Sequence, residues 1–328
     1  MNAIILSAGF GTRMQPYTNR IAKPAIEFLT VPMLGYSLFY LEALELEKVV
    51  CNLHYKPETI KECLRNLILG PYEVLYSEET PEILDSAGGI KQALKFVDKT
   101  KSVIVMNGDT VCLFKDPKIL KNAVDVHESR GSLATFILIP QKGAGRNYSA
   151  LWTDKAGFIK ARGVDYFNQG LTPYHYTGCC ILDPVLFAQL PEGPQHLLKD
   201  VILPAIDEGK EIDSYIAKEA LWLETGNPED YFKATGMCID QLVHSGEYAR
   251  AIESIIHRFS GEYVVHQSSD DPGQTLQIDN VYIDKQTHLI GLNVIGPKAI
   301  IKNCGLKNCV VQSRVTLKDQ NLENQIVF

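Results

Sequence analysis

The sequence predicts an α/β fold, a doubly wound mixed sheet followed by a small parallel β-helix. Three observations carry this. Up to about residue 109, short unbroken apolar runs alternate with segments of helical period. From Leu133 onward, strand-like runs separated by turn residues take over. Beyond residue 277, apolar residues recur every six positions with glycine and asparagine between them. The 328 residues suffice for one large domain and a smaller one. The expected division is 1–258, a linker over 259–277, and 278–328.

The elements follow in order. Residues 3–6 read as a strand buried on both faces. Residues 33–46 form a helix along Leu34, Leu38, Leu41 and Leu44. Residues 49–53 form the second strand, and Pro57 opens a helix over 58–69, where proline loses no hydrogen bond. A strand over 72–76, a helix over 87–97 and a strand over 102–106 follow, the last ending in Asn107-Gly108-Asp109. This alternation implies right-handed crossovers and mostly parallel pairing. Ligands bind at the carboxyl ends of such strands, where Gly9-Phe10-Gly11 and Asp109 both fall.

Strands over 133–139, 149–153, 158–161 and 176–182 make the sheet mixed and leave room for a second substrate. Residues 196–207 return to helix, 212–217 and 221–223 to strand. Pro228 starts a long helical stretch to about residue 259, broken near Gly246. Ser268-Ser269-Asp270-Asp271-Pro272-Gly273 reads as linker. Ile283, Leu289, Ile295 and Ile301 then step by six, and the spacing loosens through Val310, Val315, Leu317, Leu322 and Ile326. Hexapeptide periodicity marks a parallel β-helix. The stretch is long enough for about two to three coils, so it is expected to need a neighbour over its end, and the chain to be a homo-oligomer through it.

Composition narrows the function. Hydrophobic content of 45% and charged content of 22% are ordinary for a globular protein. A formal charge of −7 argues against nucleic acid as a partner. No apolar run reaches the length of a membrane span, so no membrane partner is expected. Met1-Asn2 leads directly into a strand, without the basic and apolar regions of a signal peptide. The eight cysteines form no C-x-x-C pair, and Cys179-Cys180 fall in an apolar run as core residues. A reduced, cytoplasmic enzyme is expected.

The chemistry begins at Ser7-Ala8-Gly9-Phe10-Gly11-Thr12-Arg13. Glycines there let backbone N–H groups approach an anion, and Arg13 and Lys23 add positive charge. No G-x-x-x-x-G-K-[ST] is present, and Met14 occupies the third glycine of G-x-G-x-x-G, which argues against a dinucleotide dehydrogenase. The stretch resembles the signature of the sugar-1-phosphate nucleotidyltransferases, G-x-G-T-R-x-x-P followed by K-P. It matches at Gly9, Gly11, Thr12, Arg13, Pro16, Lys23 and Pro24.

That resemblance implies a Rossmann-like, nucleotidyltransferase-type sheet and a left-handed β-helix tail. It implies attack by a sugar-1-phosphate oxygen on the α-phosphorus of an NTP, releasing pyrophosphate. The nucleophile is already an anion at pH 7, so alignment and charge neutralisation outweigh general-base catalysis. Leu6, Ala8, Gly9, Gly11, Thr12 and Arg13 are expected to hold the nucleotide, with Arg13 on the β- and γ-phosphates. Lys23, kept extended by Pro24, is expected near the α-phosphate and the acceptor phosphate. Asp109 in the family's N-G-D segment is expected to ligate Mg²⁺, the one implied cofactor. In Leu221-Trp222-Leu223-Glu224-Thr225-Gly226-Asn227-Pro228-Glu229, glutamate stands where the family has its second metal aspartate, so Glu224 takes that role one methylene further out.

Glu82-Ile83-Leu84-Asp85-Ser86-Ala87-Gly88-Gly89-Ile90 is similar to the family's E-x-L-x-T-x-G-G segment, which places Glu82, Gly88 and Gly89 near base and ribose. Asn107, Asn147, Thr177 and Gly178 are the matching acceptor-side positions. The family's E-K-P sugar contact is not recognisable around Ile159-Lys160-Ala161-Arg162. The segment around Leu84 to Ile90 looks most like mannose-1-phosphate guanylyltransferases and N-acetylmuramate-1-phosphate uridylyltransferases, and guanylyl transfer is the expectation. Uridylyl or thymidylyl transfer to another hexose phosphate, and a non-catalytic nucleotide-sugar sensor, are the alternatives.

Overall fold

Asn2–Leu6 (β1) lies at the centre of a nine-stranded sheet, paired in parallel on both sides. Its partners are Lys48–Leu53 (β2) and, across β1, Val103–Asn107 (β4); Glu73–Glu78 (β3) follows β2 in the same direction. Ala134–Ile139 (β5), Ala150–Thr153 (β6), Ile159–Gly163 (β7), Thr172–Leu182 (β8) and Asp213–Ile216 (β9) complete the sheet. The order is β7-β6-β8-β4-β1-β2-β3, with β5 also against β8 and β9 against β5. The sheet is mixed because β8 runs antiparallel to β4, β5 and β6. Ile4, Val50, Val105, Phe136 and Leu182 from these strands share one core with Ile90 and Leu94.

The computed structural model describes every residue except Ile68 and residues 268–272. Most of the expected linker loop Ser268 to Gly273 therefore lies outside the described residues. The chain forms two compact units, neither continuous in sequence: Met1–Phe10 with Ser37–Trp222, and Gly11–Tyr36 with Leu223–Phe328.

The first unit contains the whole sheet. Its helices are shorter than expected: Met33–Leu41 begins outside it and ends five residues early, and Asp85–Ala93 gives way to a 3₁₀ turn at Leu94–Phe96. Around Leu41 the bonding tightens, with Glu42 N–H shared between the Leu38 and Phe39 carbonyls and Leu44 N–H reaching Leu41 O. Among the elements that had no expectation are the strand Val111–Phe114 and the helix Ile119–Arg130. That helix buries Ile119, Leu120, Ala123, Val124 and His127 and ends at Gly131 in the left-handed region. Cys179 and Cys180 are buried in β8, as expected of core residues.

The second unit contains two helices, Pro228–Val243 and Ala249–Phe259, separated at the expected break. Asn227 starts the first by accepting a hydrogen bond from Asp230 N–H, with Pro228 in the first turn. Part of the expected linker is structured, because Tyr263–Gln267 pairs antiparallel with Gln274–Ile278, which itself pairs in parallel with Leu292–Ile295.

From Gln274 onward the pairings are parallel, between strands 16 to 18 residues apart, as in Tyr282↔Ile300, His288↔Gly305, Val294↔Val310 and Gly305↔Asn321. Three hexapeptides make 18, and the later shortening to 16 is the loosening visible in the sequence. This is a β-helix-like stack. Ile295, Ile301, Leu306, Val311 and Leu317 fill its interior. Its corners bend at left-handed residues, and those residues stack: Asn303 Nδ2 donates to Asp319 Oδ1 at 2.6 Å and Asn308 Nδ2 to Asn324 Oδ1 at 3.0 Å. Asparagine and aspartate tolerate that backbone region better than most side chains.

The stack also grips residues 11–36. Glu27 N–H donates to Gln312 Oε1 (2.6 Å), Gln312 Nε2 donates to Glu27 O (3.2 Å), and Ser313 N–H donates to Glu27 Oε2 (2.9 Å). The Tyr231 hydroxyl also donates to Glu27 O, at 2.5 Å. Burial pushes the Glu27 carboxyl up to about 7, against the Ser313 hydrogen bonds and the Arg314 charge, which pull it down. Arg314 and Tyr231 are the ionisable groups facing it.

Between pH 4.5 and 7 the folded state therefore keeps a proton that the unfolded state has lost, so this group's contribution to stability falls as pH rises through that window. Glu27→Gln carries no such proton. Its melting temperature relative to the unaltered chain is expected to rise by roughly 2–4 °C between pH 5 and pH 8. A difference that stays flat across thermal melts in that range would contradict the assignment.

Candidate active site

In the first unit the site is built at the carboxyl ends of β1, β2, β3 and β4. Gly108 N–H donates to Leu6 O at 2.8 Å, extending the β1–β4 pairing past the last strand residue. A side chain at 108 would meet Ser7 Oγ at 2.5 Å and Ile5 Cγ2 at 2.9 Å. Only glycine fits there, and the turn it opens carries the half-buried Asp109. The buried Ser7 hydroxyl has no hydrogen-bond partner among the described residues.

A buried polar chain supports these strand ends. Asn52 Oδ1 accepts from Ser7 N–H at 2.6 Å, and Asn52 Nδ2 donates to Glu79 Oε1 at 2.7 Å. Glu79 Oε2 accepts from Leu84 N–H at 2.7 Å, just ahead of the helix Asp85–Ala93. Burial raises the Glu79 carboxyl above its ordinary range, and the Leu84 and Asn52 hydrogen bonds oppose that shift. Sequence reasoning missed both Asn52 and Glu79. The available signal was a polar residue near the end of an otherwise apolar strand.

The expected double glycine meets protein. A side chain on Gly88 would collide with Gly193 O, and one on Gly89 would reach Glu79 Oε1 at 2.5 Å and Asn52 Nδ2 at 2.7 Å. The N–H of Ala87 donates to Gln195 O at 2.8 Å. These glycines are thus required by packing, and both are buried, while Glu82 is exposed. Gly9 differs: it is exposed, and a side chain there would meet nothing within 4 Å. Phe10 is also exposed, with its ring 5.5 Å from those of His54 and Tyr55. Leu6 is half-buried and Ala8 buried.

On the acceptor side, β8 has an irregular register against β5 between Tyr176 and Cys180. Thr177 and Gly178 sit in this irregularity, with Gly178 left-handed and backed by Asn107, whose Nδ2 lies 2.7 Å from where a Gly178 Cβ would be. Bulges of this kind re-aim strands beside active sites. Thr177 is buried and its hydroxyl donates to Ile137 O at 2.8 Å, so its proton is committed to the fold. Asn147 is exposed. Beside it, Tyr148, His175 and Trp222 form a run of rings, with centroids 5.6 and 4.3 Å apart. Burial pushes the His175 imidazole down to about 4, so it is neutral near pH 7.

In the second unit, Gly11 is left-handed (φ 61°), and Thr12–Met14 forms a 3₁₀ turn with Met14 buried and Thr12 and Arg13 exposed. Lys23 does not sit in an extended segment as expected; it opens the 3₁₀ turn Lys23–Ala25, with extended backbone at Ala22 before it. The first turn of a helix needs no N–H from Pro24, so proline is accommodated there. Lys23 is buried. Glu224 Oε1 accepts from Gly226 N–H at 2.8 Å. The Arg13 guanidinium lies over the same glycine, 2.9–3.0 Å from the point its Cβ would occupy, and Glu224 Oε1 crowds that point too. The fold thus brings Arg13 and Glu224, more than two hundred residues apart in the chain, together around Gly226.

Among the described residues no three of His, Cys, Asp and Glu gather into a metal cage. The donors on offer are single carboxylates, Asp109 in the first unit and Glu224 in the second. A lone carboxylate of this kind suits magnesium, which takes one or two and completes its shell with water and phosphate. No helix among the described residues is long and apolar enough to cross a membrane.

Residues 2–160 match the family described as Nucleotidyl transferase. That match covers 159 of the 328 residues and gives this part of the chain a nucleotidyl transferase domain. It is 25% identical over 281 residues to the mannose-1-phosphate guanyltransferase of Hypocrea jecorina, covering 82% of this chain and 72% of that protein. It is 26% identical over 246 residues to the Schizosaccharomyces pombe protein of the same name, with 73% and 64% covered. It is also 26% identical over 321 residues to a UTP–glucose-1-phosphate uridylyltransferase of Synechocystis sp., with 93% and 79% covered. Among solved structures, HddC from Yersinia pseudotuberculosis superposes with a TM-score of 0.57 at 24% identity, over 72% of this chain and 98% of that one, and so shares its fold. A second structure of HddC is a complex with GMP-PN.

Replacing Glu79 by alanine leaves Asn52 Nδ2 and Leu84 N–H without their acceptor. The expected loss is about 2–3 kcal/mol in urea unfolding. Glu79→Gln, which keeps one acceptor oxygen, is expected to lose less. Equal losses in the two variants would contradict the role given to the carboxylate.

Proposed function

We propose that the protein transfers a nucleotidyl group from an NTP to a sugar 1-phosphate, releasing pyrophosphate, with GTP and mannose 1-phosphate as the substrate pair. The observation that carries the reading is the cluster of Arg13 and Glu224 around Gly226. An exposed guanidinium held beside a carboxylate that is fixed by its own turn suits a phosphate and its counter-ion, and core packing does not require it. The family supports the reaction class. The names of the fungal relatives support the choice of guanylyl transfer, and the Synechocystis relative keeps uridylyl transfer as the alternative.

In this reading Arg13 neutralises the departing pyrophosphate, and Lys23 serves the α-phosphate and the incoming sugar phosphate. Leu6, Ala8, Gly9, Gly11 and Thr12 hold the nucleotide, and Asn107, Asn147 and Gly178 face the acceptor. Asp109 and Glu224 hold Mg²⁺, which supplies charge neutralisation on the triphosphate when bound. Gly9 is the most telling glycine of the signature. The fold leaves open space at its Cβ, so glycine there serves a ligand better than it serves packing.

Gly9→Ala is therefore expected to melt within about 2 °C of the unaltered chain, since it disturbs no contact, yet to bind nucleotide about tenfold or more weakly. Calorimetric titration with each NTP measures this, and unchanged affinity would remove Gly9 from the nucleotide site.

Pyrophosphate release measured across four NTPs and a panel of sugar phosphates tests the function itself. The expected result is turnover highest for GTP with mannose 1-phosphate, falling by about 10³ in Asp109→Ala. Absence of turnover with every pair, together with retained binding of a nucleotide sugar, would replace the enzyme reading with a sensor.

A further inference from the structure

We propose that Glu27 and Gln312 are positioning residues, through which a corner of the β-helix-like stack sets the conformation of the segment carrying Arg13 and Lys23. The assignment of phosphate roles to Arg13 and Lys23 rests on the nucleotidyl-transfer reading; the coupling between stack and segment does not. All the residues involved lie in the second unit.

The geometry is specific. A single amide, the buried side chain of Gln312, pairs with both the N–H and the carbonyl of Glu27, as a neighbouring strand would. Gln312 is itself anchored, since its N–H donates to Val327 O in the next coil at 2.9 Å. Ser313 N–H then takes the Glu27 carboxylate, and the Tyr231 hydroxyl takes a second bond to the Glu27 carbonyl. Four residues earlier in the chain stands Lys23, whose carbonyl accepts from Ile26 N–H at 3.0 Å, so a fixed Glu27 fixes the turn that presents the lysine.

A second contact holds the other side of the segment. Phe328 lies against the Tyr17 ring, 6.2 Å between centroids, and under the Arg20 guanidinium at 5.5 Å. Arg20 Nη2 also donates to Phe328 O at 3.4 Å. Between these anchors, residues 21–26 contain no regular structure beyond the one 3₁₀ turn. Gln312 is a buried amide that directly follows Val310 and Val311, both buried apolar residues of the stack. A buried amide is costly unless both its ends are paired, and here both are paired to one residue three positions past the end of the signature. Adjacency to the signature, double pairing and a break in the apolar pattern together point to positioning.

The test compares Gln312→Ala, Glu27→Ala and the conservative Glu27→Gln in the full chain. Hydrogen exchange is expected to speed about tenfold or more across residues 12–28 in both alanine variants, with the sheet strands β1 to β4 unchanged. Glu27→Gln, which still offers an oxygen to Ser313 N–H, is expected to stay within about twofold. Pyrophosphate release by the alanine variants is expected to lose about tenfold in kcat, with the KM for sugar phosphate little changed. Wild-type exchange across 12–28 in both alanine variants overturns the proposal. So does equal acceleration throughout the chain, or a loosened segment with unaltered kcat. Loosening confined to 12–28 while the unaltered protein turns over no substrate pair supports the coupling and sinks the transfer reading instead.

Discussion

The candidate site depends on one close approach, that of β4 to β1 at Gly108. Parallel strands bring their carboxyl ends to the same edge, but side chains normally keep successive turns apart. Here Gly108 N–H reaches Leu6 O and leaves no room for a Cβ against Ser7 Oγ and Ile5 Cγ2. The consequence is that Asp109 and the backbone of Ser7-Ala8-Gly9 emerge together. Asn52 and Glu79 then hold the Ser7 amide and the start of the next helix in one buried chain of hydrogen bonds. Such a chain is stable only if every member is paired, which fixes three strand ends at once.

Much of this was legible in the sequence because its signals are local. The unbroken apolar runs at β1, β2 and β4 mark strands buried on both faces, and the six-residue steps from Ile283 to Ile301 mark the coils. Less local constraints were not legible. The helix Ile119–Arg130 presents a sound apolar stripe, but it ends in a buried histidine, His127, whose ring is satisfied by Thr135 and Ser102 at distant positions. The strands within 259–277 are made by pairing with residues 292–295 and lack a pattern of their own. The grouping of residues 11–36 with the second unit rests on side-chain hydrogen bonds across nearly three hundred residues, which no window of sequence contains.

The glycines of the motifs separate once their surroundings are known. In sequence, Gly9, Gly11, Gly88 and Gly89 read as room for a ligand, and Gly108 as the middle of the N-G-D segment that carries Asp109. Gly88, Gly89 and Gly108 instead make room for neighbouring protein atoms, and Gly11 supplies a left-handed turn. Gly9 alone of these five has neither constraint. A motif can therefore be intact for two different reasons, catalytic and architectural, and substitutions at its positions will fail in different ways.

The two carboxylates assigned to the metal are also held differently, and this bears on the glutamate at 224. Asp109 is short and directly follows Gly108, whose backbone is held against Leu6 by a hydrogen bond. Glu224 has one more rotatable bond, but its Oε1 is tied to Gly226 N–H two residues ahead. That bond removes much of the freedom the extra methylene adds and engages Oε1 rather than Oε2. Glutamate at this position is thus compatible with a defined metal carboxylate, provided residue 226 stays small. Any side chain there would strike both the Glu224 carboxylate and the Arg13 guanidinium, so the longer acid, the glycine and the arginine form one interdependent set.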